Sequence, residues 1–372
     1  MIFIDTALYA ALAPILPDLK QQFGLGKAGA GLLAGAYPVG GVAGALPSGW
    51  LTARYGPRAA LRGALCVMVV AGIVFALAHD IVVLDVARFA QGFGGTVTWT
   101  AGLAWIAQTA PLERRGELLG LVIGIGVFGS QFGPVVGSIA DVLGRETVFL
   151  VTAGIGIPLL IAAHRTVVAP RIAGEAVVGP RVLARDRAFL VGLWLTLLPS
   201  LAFGTIEVLV PLRLDDLGVG ALGIGAAFFA GAGVEAAVSP VVGRLTDRRG
   251  MVTVVRAAAI VSAAGLVLFP VPGNGLLLAA LLVVTSVGLG AWWVPGGQLV
   301  SVAAERLGVD QGWAFAVNNL GWAGGVAIGA AGGGLLGARV GDALPYALVA
   351  ALMVATGVTA MLRPALLKAT GS

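Results

Sequence analysis

Asp5, Arg88, Glu207 and Glu235 are ionisable side chains within largely apolar stretches. Asp5 lies nine residues before Pro14 and twelve before Pro17, Glu207 four before Pro211, and Glu235 eight before Gly243. On insertion scales a charge at the centre of a bilayer helix costs roughly 2.5–3.5 kcal/mol, so such a residue persists with a partner or a task. For a carboxylate the fitting task is proton exchange. An apolar setting disfavours its charged form, whereas a cationic guest favours it, so proton and guest compete for one site. Arg88 has Gln91 one turn on along the same helical face and would stabilise a nearby carboxylate or polar group. Its alternative is snorkelling to the membrane surface. Asp5 has an alternative too, as the cap of the first helix. Asp5, Glu207, Glu235 and Arg88 are the expected proton-coupling residues. Glu207, Gln91, Gln131, Trp292, Gln298, Asn318 and Trp322 are the expected substrate contacts.

Other chemistry lacks its residues. No Gly-x4-Gly-Lys-Ser/Thr phosphate loop occurs, so ATP hydrolysis by this chain is not expected. The two histidines, His79 and His164, fall at helix ends, and no metal cluster or Ser/His/Asp arrangement is legible. No catalytic residue, metal or cofactor is expected.

The elements that must position these residues follow from composition. Of 372 residues 58% are hydrophobic and only 11% charged, with a mean hydropathy of +0.98. Ordinary soluble domains carry about 25% charged residues, and one soluble core of this size cannot hide so much apolar surface. Disorder needs a polar, charge-rich chain, and the 58 glycines follow no collagen period. A polytopic, all-α membrane protein remains. The net charge of +5 then reflects Lys and Arg on cytoplasmic loops rather than a nucleic-acid surface. Cys66 is the single cysteine and can form no intrachain disulfide. The first apolar stretch starts at Met1 without a cleavage-like site, which argues against a secretory signal and points to a short native N-terminus or a misassigned start.

Breaks at charges, Gly and Pro predict twelve spans, near 1–19, 28–50, 59–78, 81–107, 115–143, 146–165, 189–212, 221–243, 252–270, 275–304, 312–337 and 343–363. With the connection Pro17–Lys27 outside, seventeen of the 23 Lys and Arg fall on the cytoplasmic side, among them Arg54, Arg58, Arg114, Arg115, Arg165, Arg171, Arg181, Arg248, Arg306 and Lys368. Five fall on the other side: Lys20, Lys27, Arg145, Arg213 and Arg339. Both termini are then cytoplasmic, in a multi-pass protein of the cell (inner) membrane. The Arg-rich stretch 166–188 reads as a linker between an N-terminal six-helix bundle, 1–165, and a C-terminal one, 189–372.

The two halves repeat each other. Pro17, Gly24, Gly26, Gly49, Leu51, Thr52, Arg54, Gly56 and Arg62 recur as Pro211, Gly218, Gly220, Gly243, Leu245, Thr246, Arg248, Gly250 and Arg256, a constant offset of 194. Two parallel six-helix halves suit a secondary transporter, in which one half rocks against the other.

Four motifs carry a resemblance. Gly49-Trp50-Leu51-Thr52-Ala53-Arg54-Tyr55-Gly56-Pro57-Arg58 resembles the signature between the second and third helices of the major facilitator superfamily, with a degenerate copy at Gly243–Gly250. Ala53 stands where the family usually has an acid, and Asp247 keeps that acid in the copy. Arg88-x2-Gln91-Gly92-x-Gly94 resembles a second family motif. Gly129-x3-Gly133-Pro134-x2-Gly137 resembles the antiporter motif of drug efflux members, with Ser138 in place of its closing glycine. The Asp5 and Glu207 spacings look like the vesicular amine transporter-like branch of the twelve-helix drug:proton antiporters. Further acids and a helix-2 lysine of that branch are missing here, so its amine specificity does not carry over. The resemblance implies the major facilitator fold, with twelve transmembrane helices in two pseudo-symmetric six-helix bundles. It implies gating by Gly49, Arg54, Gly56, Arg58, Asp247, Arg248, Gly133 and Pro134. The expectation is a monomeric, proton-coupled antiporter that exports small amphipathic or cationic molecules and binds no nucleic acid. The alternative is a metabolite or sugar carrier of the same fold, working as symporter or uniporter.

Overall fold

The structure, a computed structural model, describes residues 1–109, 115–165, 180–309 and 311–367. Within those, the side chains of 53, 107–108, 115–120, 123–124, 127, 164–165, 180–181, 311–312 and 315 are outside the description. So are the expected linker residues 166–179 and the charges counted at Arg114, Arg171 and Lys368.

The helices are α1 (Ile2–Ala10), α2 (Leu12–Gln22), α3 (Lys27–Tyr55), α4 (Pro57–Leu77), α5 (Ile81–Thr109), α6 (Arg115–Leu143), α7 (Arg145–Arg165), α8 (Arg187–Asp216), α9 (Ala221–Arg249), α10 (Met251–Leu268), α11 (Gly275–Gly290), α12 (Trp293–Leu307), α13 (Gln311–Val340) and α14 (Ala343–Leu362). Among the described residues nine spans are long and apolar enough to cross a membrane, Gly275–Leu307 counting as one of them. The pair α1 and α2, bent by 48°, makes a tenth. The 29-residue helices α5 and α6 bring the number to the expected twelve. Boundaries agree with the sequence reading to a few residues; the main difference is that α3 and α9 run past the expected 50 and 243 into their glycine turns.

Helical hydrogen bonding is the one way such a chain can satisfy its backbone in lipid. Packing then reverses the soluble pattern. On α14, Leu348, Leu352, Val358 and Leu362 are exposed, whereas Tyr346, Val349, Ala350, Met353, Gly357 and Ala360 are buried. Small residues lie between helices and bulky aliphatics face outward, as expected where lipid replaces water.

The chain forms two compact units. Unit 1 is Met1–Gly24 with Ala36–Glu175, and unit 2 is Leu25–Gly35 with Ala176–Ser372. Residues Leu25–Gly35, which include the first part of α3, fall in unit 2, where Gly31 lies against Ala330 and Gly334, and Gly35 against Ala327, of α13.

Helix pairings within the units repeat. In unit 1, α1 packs on α6, α4 on α5 and α4 on α7; in unit 2, α8 packs on α13, α10 on α11 and α10 on α14. The helices α3 and α9 begin and end 194 residues apart. Both stop at a glycine with positive φ, 83° at Gly56 and 80° at Gly250, a conformation closed to most L-residues. The same mark recurs at Gly24 and Gly218, and at Gly144 and Gly341. Two pseudo-symmetric six-helix bundles are thus visible in both backbone and packing.

Candidate functional site

The buried polar centre of unit 1 assembles where α1 meets α3 and α5. Asp5 is not a cap: Met1 occupies that position, and Asp5 sits in the first turn of α1 with 1% exposure. The Tyr37 hydroxyl on α3 donates to Asp5 Oδ1 at 2.7 Å. Trp99 of α5 lies within reach of the carboxylate, but Oδ2 has no hydrogen bond of normal geometry. The carboxylate borders a cavity of about 30 Å³ lined also by Leu8, Tyr37, Met68 and Gln91. A volume of that order holds one or two water molecules.

Arg88 does not snorkel. It is 1% exposed and donates to the carbonyls of Leu8 and Tyr9 at 3.1 and 3.2 Å, and to Gln91 Oε1 at 3.2 Å. These carbonyls end α1, where the last turn lacks full intrahelical partners. Pro14, three residues past the break at Ala11, has no N–H to return to Ala10. Arg88 therefore clamps the bend between α1 and α2. Its guanidinium also lies 5.0 Å from the Tyr37 ring centroid, so Tyr37 joins the two charged groups, ring beneath Arg88 and hydroxyl on Asp5. Gln91 is buried on the same face, as expected, and its Nε2 has no protein partner. The 48° bend sets Asp5 less far below Pro17 than twelve residues of straight helix, about 18 Å, would.

Arg88→Ala leaves those carbonyls without their charged donor. Charged hydrogen bonds of this kind are worth about 1.5–3 kcal/mol each, so the variant should lose several °C of melting temperature in detergent, with Arg88→Lys recovering part of it. Unchanged melting of Arg88→Ala would contradict the clamp.

Tyr37, Gly95 and Trp99 were not singled out in the sequence. A Cβ on Gly95 would lie 2.8 Å from both Asp5 Oδ2 and the Tyr37 hydroxyl. The visible signal was the glycine run Gly92-x-Gly94-Gly95, from which the familiar motif takes Gly94. Gly94 itself faces Met68, a flexible neighbour. Gly95→Ala should therefore break the Tyr37–Asp5 bond, costing about 1–3 kcal/mol by overpacking, while Gly94→Ala is milder. Thermal shift of the two variants checks the order.

The glycines of the α6 motif meet α1 and α2 at the bend. Gly129 faces Thr6 and Phe3, Gly133 faces Ala10 and the Ala7 carbonyl, and Gly137 faces the Ala11 carbonyl and Pro14. Thr6 donates to the Gly126 carbonyl at 2.8 Å. Pro134 lies inside α6, and its carbonyl accepts from Ser138 at 2.9 Å. Gln131 is half-buried in the same stretch, its Oε1 without a partner.

In unit 2, Glu207 is half-buried on α8, one turn before Pro211. Glu235 on α9 packs its side chain against Gly290 and accepts a hydrogen bond from Trp293. It therefore meets the break between α11 and α12, which falls at Ala291–Trp292 inside the expected span 275–304. Trp292 does not line open space: it is fully buried, and its indole donates to Ser262 at 3.3 Å. Gln298 lies beside the expected gating residue Asp247, its amide 3.5 Å from that carboxylate. Asn318 is half-buried on α13 with Oδ1 unpartnered, and Trp322 lies one turn on.

Of the residues expected to gate, Gly133 and Pro134 lie inside α6 and the others sit at helix ends. Gly49 is half-buried near the end of α3, and Arg54 is exposed with its guanidinium 6.0 Å from the Tyr55 ring. Arg58 Nε donates to the Ala163 carbonyl at 2.9 Å, in the last turn of α7. Asp247 and Arg248 are exposed at the end of α9. Asp186 caps α8 by accepting from the Phe189 N–H at 2.9 Å and pairs with Arg306.

The polar groups break the repeat. At the offset of 194, Asp5, Tyr37, Arg88 and Gln91 correspond to Pro199, Gly231, Leu282 and Thr285, and Glu207 and Glu235 correspond to Ala13 and Gly41. Scaffold is duplicated, chemistry is not.

Residues 1–326 match the family model of the Major Facilitator Superfamily. The MFS-type transporter ppzB of Metarhizium rileyi is 31% identical over 158 residues, 41% of this chain and 33% of that protein. The drug efflux pump JefA of Mycobacterium tuberculosis is 28% identical over 158 residues, 42% of this chain and 30% of that protein. The matched region thus spans about a third of these curated relatives. A crystal structure of a D-xylose-proton symporter superimposes with a TM-score of 0.73 over 96% of this chain and 95% of that one, at 15% identity, a likeness of fold.

Proposed function

The chain belongs to the major facilitator superfamily, and from that membership we propose that it is a proton-coupled antiporter exporting small amphipathic or cationic molecules by alternating access. A family of transporters makes transport, not catalysis, the frame for every polar residue described above. The observation that carries the proposal is Asp5: a carboxylate with 1% exposure, on a broken first span, held at one oxygen by a phenol and bordering a small cavity. An ionised carboxylate at membrane depth is costly unless paired or hydrated. Uptake of a proton removes that cost, and opening toward water lets the proton leave. Asp5 carries the proton; Arg88 and Gln91 hold the helix break beside it.

Glu207 and Glu235 supply negative charge for a cationic guest, with Gln131, Asn318 and Trp322 as further contacts. The excess of Lys and Arg on one side supports a reading with both termini cytoplasmic, in a protein of the cell (inner) membrane. The bundles 1–165 and 189–372, joined through 166–188, work as a monomer of the drug:proton antiporter type. The glycines of the α6 motif let α1 and α2 move on α6, and the Gly49–Arg58 and Asp247–Arg248 ends govern closure on the cytoplasmic side. Similarity to the drug efflux pump JefA supports the direction of export.

Glu207→Gln tests the guest's charge. Binding of tetraphenylphosphonium should weaken at least tenfold, with little change for a neutral apolar ligand. Equal losses for both would place Glu207 in folding or coupling, and would leave Glu235 as the counter-charge.

A further inference from the structure

Unit 2 contains a cavity of about 280 Å³ lined among others by Leu209, Arg213, Phe269, Leu278, Asp342 and Tyr346. It lies near the turn at Gly341, at the far end of α8 from Asp186, and neither Glu207 nor Glu235 lines it. Its floor is aromatic and aliphatic: the rings of Phe269 and Tyr346 are 5.2 Å apart, and both residues are buried.

The repeat shows what this place looks like when the protein fills it. Phe269 and Leu278 correspond to Phe75 and Leu84 at the offset of 194. Gly341, Asp342 and Tyr346 correspond to Gly144, Arg145 and Phe149, a register marked by φ of 86° and 88° at the two glycines. In unit 1 the Phe75 and Phe149 rings pair at 4.6 Å, and the Arg145 guanidinium covers them, 5.8 Å from the Phe75 centroid and 2.7 Å from the Ala78 carbonyl. Among the described residues of unit 2 no guanidinium covers the Phe269–Tyr346 pair in this way. Asp342 turns to Lys27 at 2.6 and 2.7 Å, and the space over the rings stays open.

Charge then selects the guest. The Asp342 carboxylate is closed by Lys27. Arg213, which replaces the buried Leu19 of unit 1, forms no ion pair or side-chain hydrogen bond among the described residues. The lining therefore offers one uncompensated guanidinium above an apolar floor, at the lower end of the size range of small-molecule pockets.

We propose that this cavity binds a small amphiphilic organic anion, its acid group on the Arg213 guanidinium and its apolar body against Phe269 and Tyr346. A planar fork of donors suits a carboxylate, sulfonate or phosphate. The site is separate from the acids that take a cation, so its failure would leave the transport reading untouched. The same chemistry can come from a soluble acid or from the headgroup of an anionic lipid.

The test uses the full chain in phosphatidylcholine nanodiscs and ¹⁹F NMR of 4-(trifluoromethyl)benzoate, with 4-(trifluoromethyl)benzylamine as its cationic counterpart. The benzoate should bind with saturation, and at least tenfold more tightly than the amine. Arg213→Gln should weaken it at least tenfold, and Arg213→Lys should restore part of the loss. A second variant, Ala343→Trp, placed on the lining, should block the benzoate while Arg213 stays intact. Equal binding of amine and benzoate, or an Arg213→Gln variant that melts like the wild type and binds the benzoate unchanged, would overturn the site. In phosphatidylglycerol nanodiscs, loss of benzoate binding supports a lipid headgroup as the occupant; retention supports a soluble acid.

Discussion

Asp5→Asn should abolish substrate-driven proton release while leaving the fold and substrate binding in place. Asparagine keeps an oxygen to accept from Tyr37, whose hydroxyl now lies 2.7 Å from Asp5 Oδ1, and it fits the same buried volume. What it loses is the proton. The purified protein in weak buffer should release protons when tetraphenylphosphonium is added, and the Asp5→Asn protein should release none while binding the ligand with affinity within about threefold of the wild type. Tyr37→Phe separates position from titration: it removes the donor, leaves the acid, and should reduce release without abolishing it. Wild-type release from Asp5→Asn would take Asp5 out of the mechanism and leave Glu207 or Glu235 to carry the proton.

Gly133→Leu should prevent stable folding and remove transport with it. A Cβ at Gly133 already lies 2.7 Å from the Ala7 carbonyl and collides with Ala10, and both belong to the end of α1 beside its bend. Backbone cannot give way as a flexible side chain can, so α6 would have to separate from α1 and α2. Overpacking a tight core costs about 1–3 kcal/mol and more for a large side chain. Gly133→Ala should fall within that range; Gly133→Leu should exceed it and leave little monodisperse protein on extraction. Gly154→Ala on α7, where a Cβ meets nothing within 4 Å, is the matched control and should melt like the wild type. A Gly133→Leu protein with wild-type melting and transport would mean that the close approach is dispensable.

The spans and the repeat were legible because they are written along the chain. Apolar length fixes where a helix can cross lipid, and Gly56 and Gly250 sit in one register with one backbone conformation. Asp5 and Arg88 were legible because charge in an apolar stretch stands out. Their partners were not. Tyr37 reads as one more apolar-run aromatic before Pro38, and Gly95 as one of 58 glycines. Their roles depend on the rotation of α3 and α5 about their axes, and a helix that is apolar all round carries no stripe to reveal it. Trp292 and Trp293 show the same limit. Adjacent residues point in different directions, so one is buried on Ser262 while the other meets Glu235. The asymmetric filling of the Phe75–Phe149 and Phe269–Tyr346 pairs likewise needed the fold, because the register there shifts from 194 to 197.

The most direct test of proton-coupled antiport is a proton-flux measurement on the wild-type protein reconstituted in liposomes. An acid-inside gradient is imposed, tetraphenylphosphonium is added outside, and a trapped pH-sensitive dye reports the lumen. Lumenal pH should rise on addition of the cation, with the cation accumulating inside in step, and neither change should occur in protein-free liposomes or with Asp5→Asn. Accumulation of the cation with no change in lumenal pH, at a rate the gradient does not alter, would contradict proton coupling.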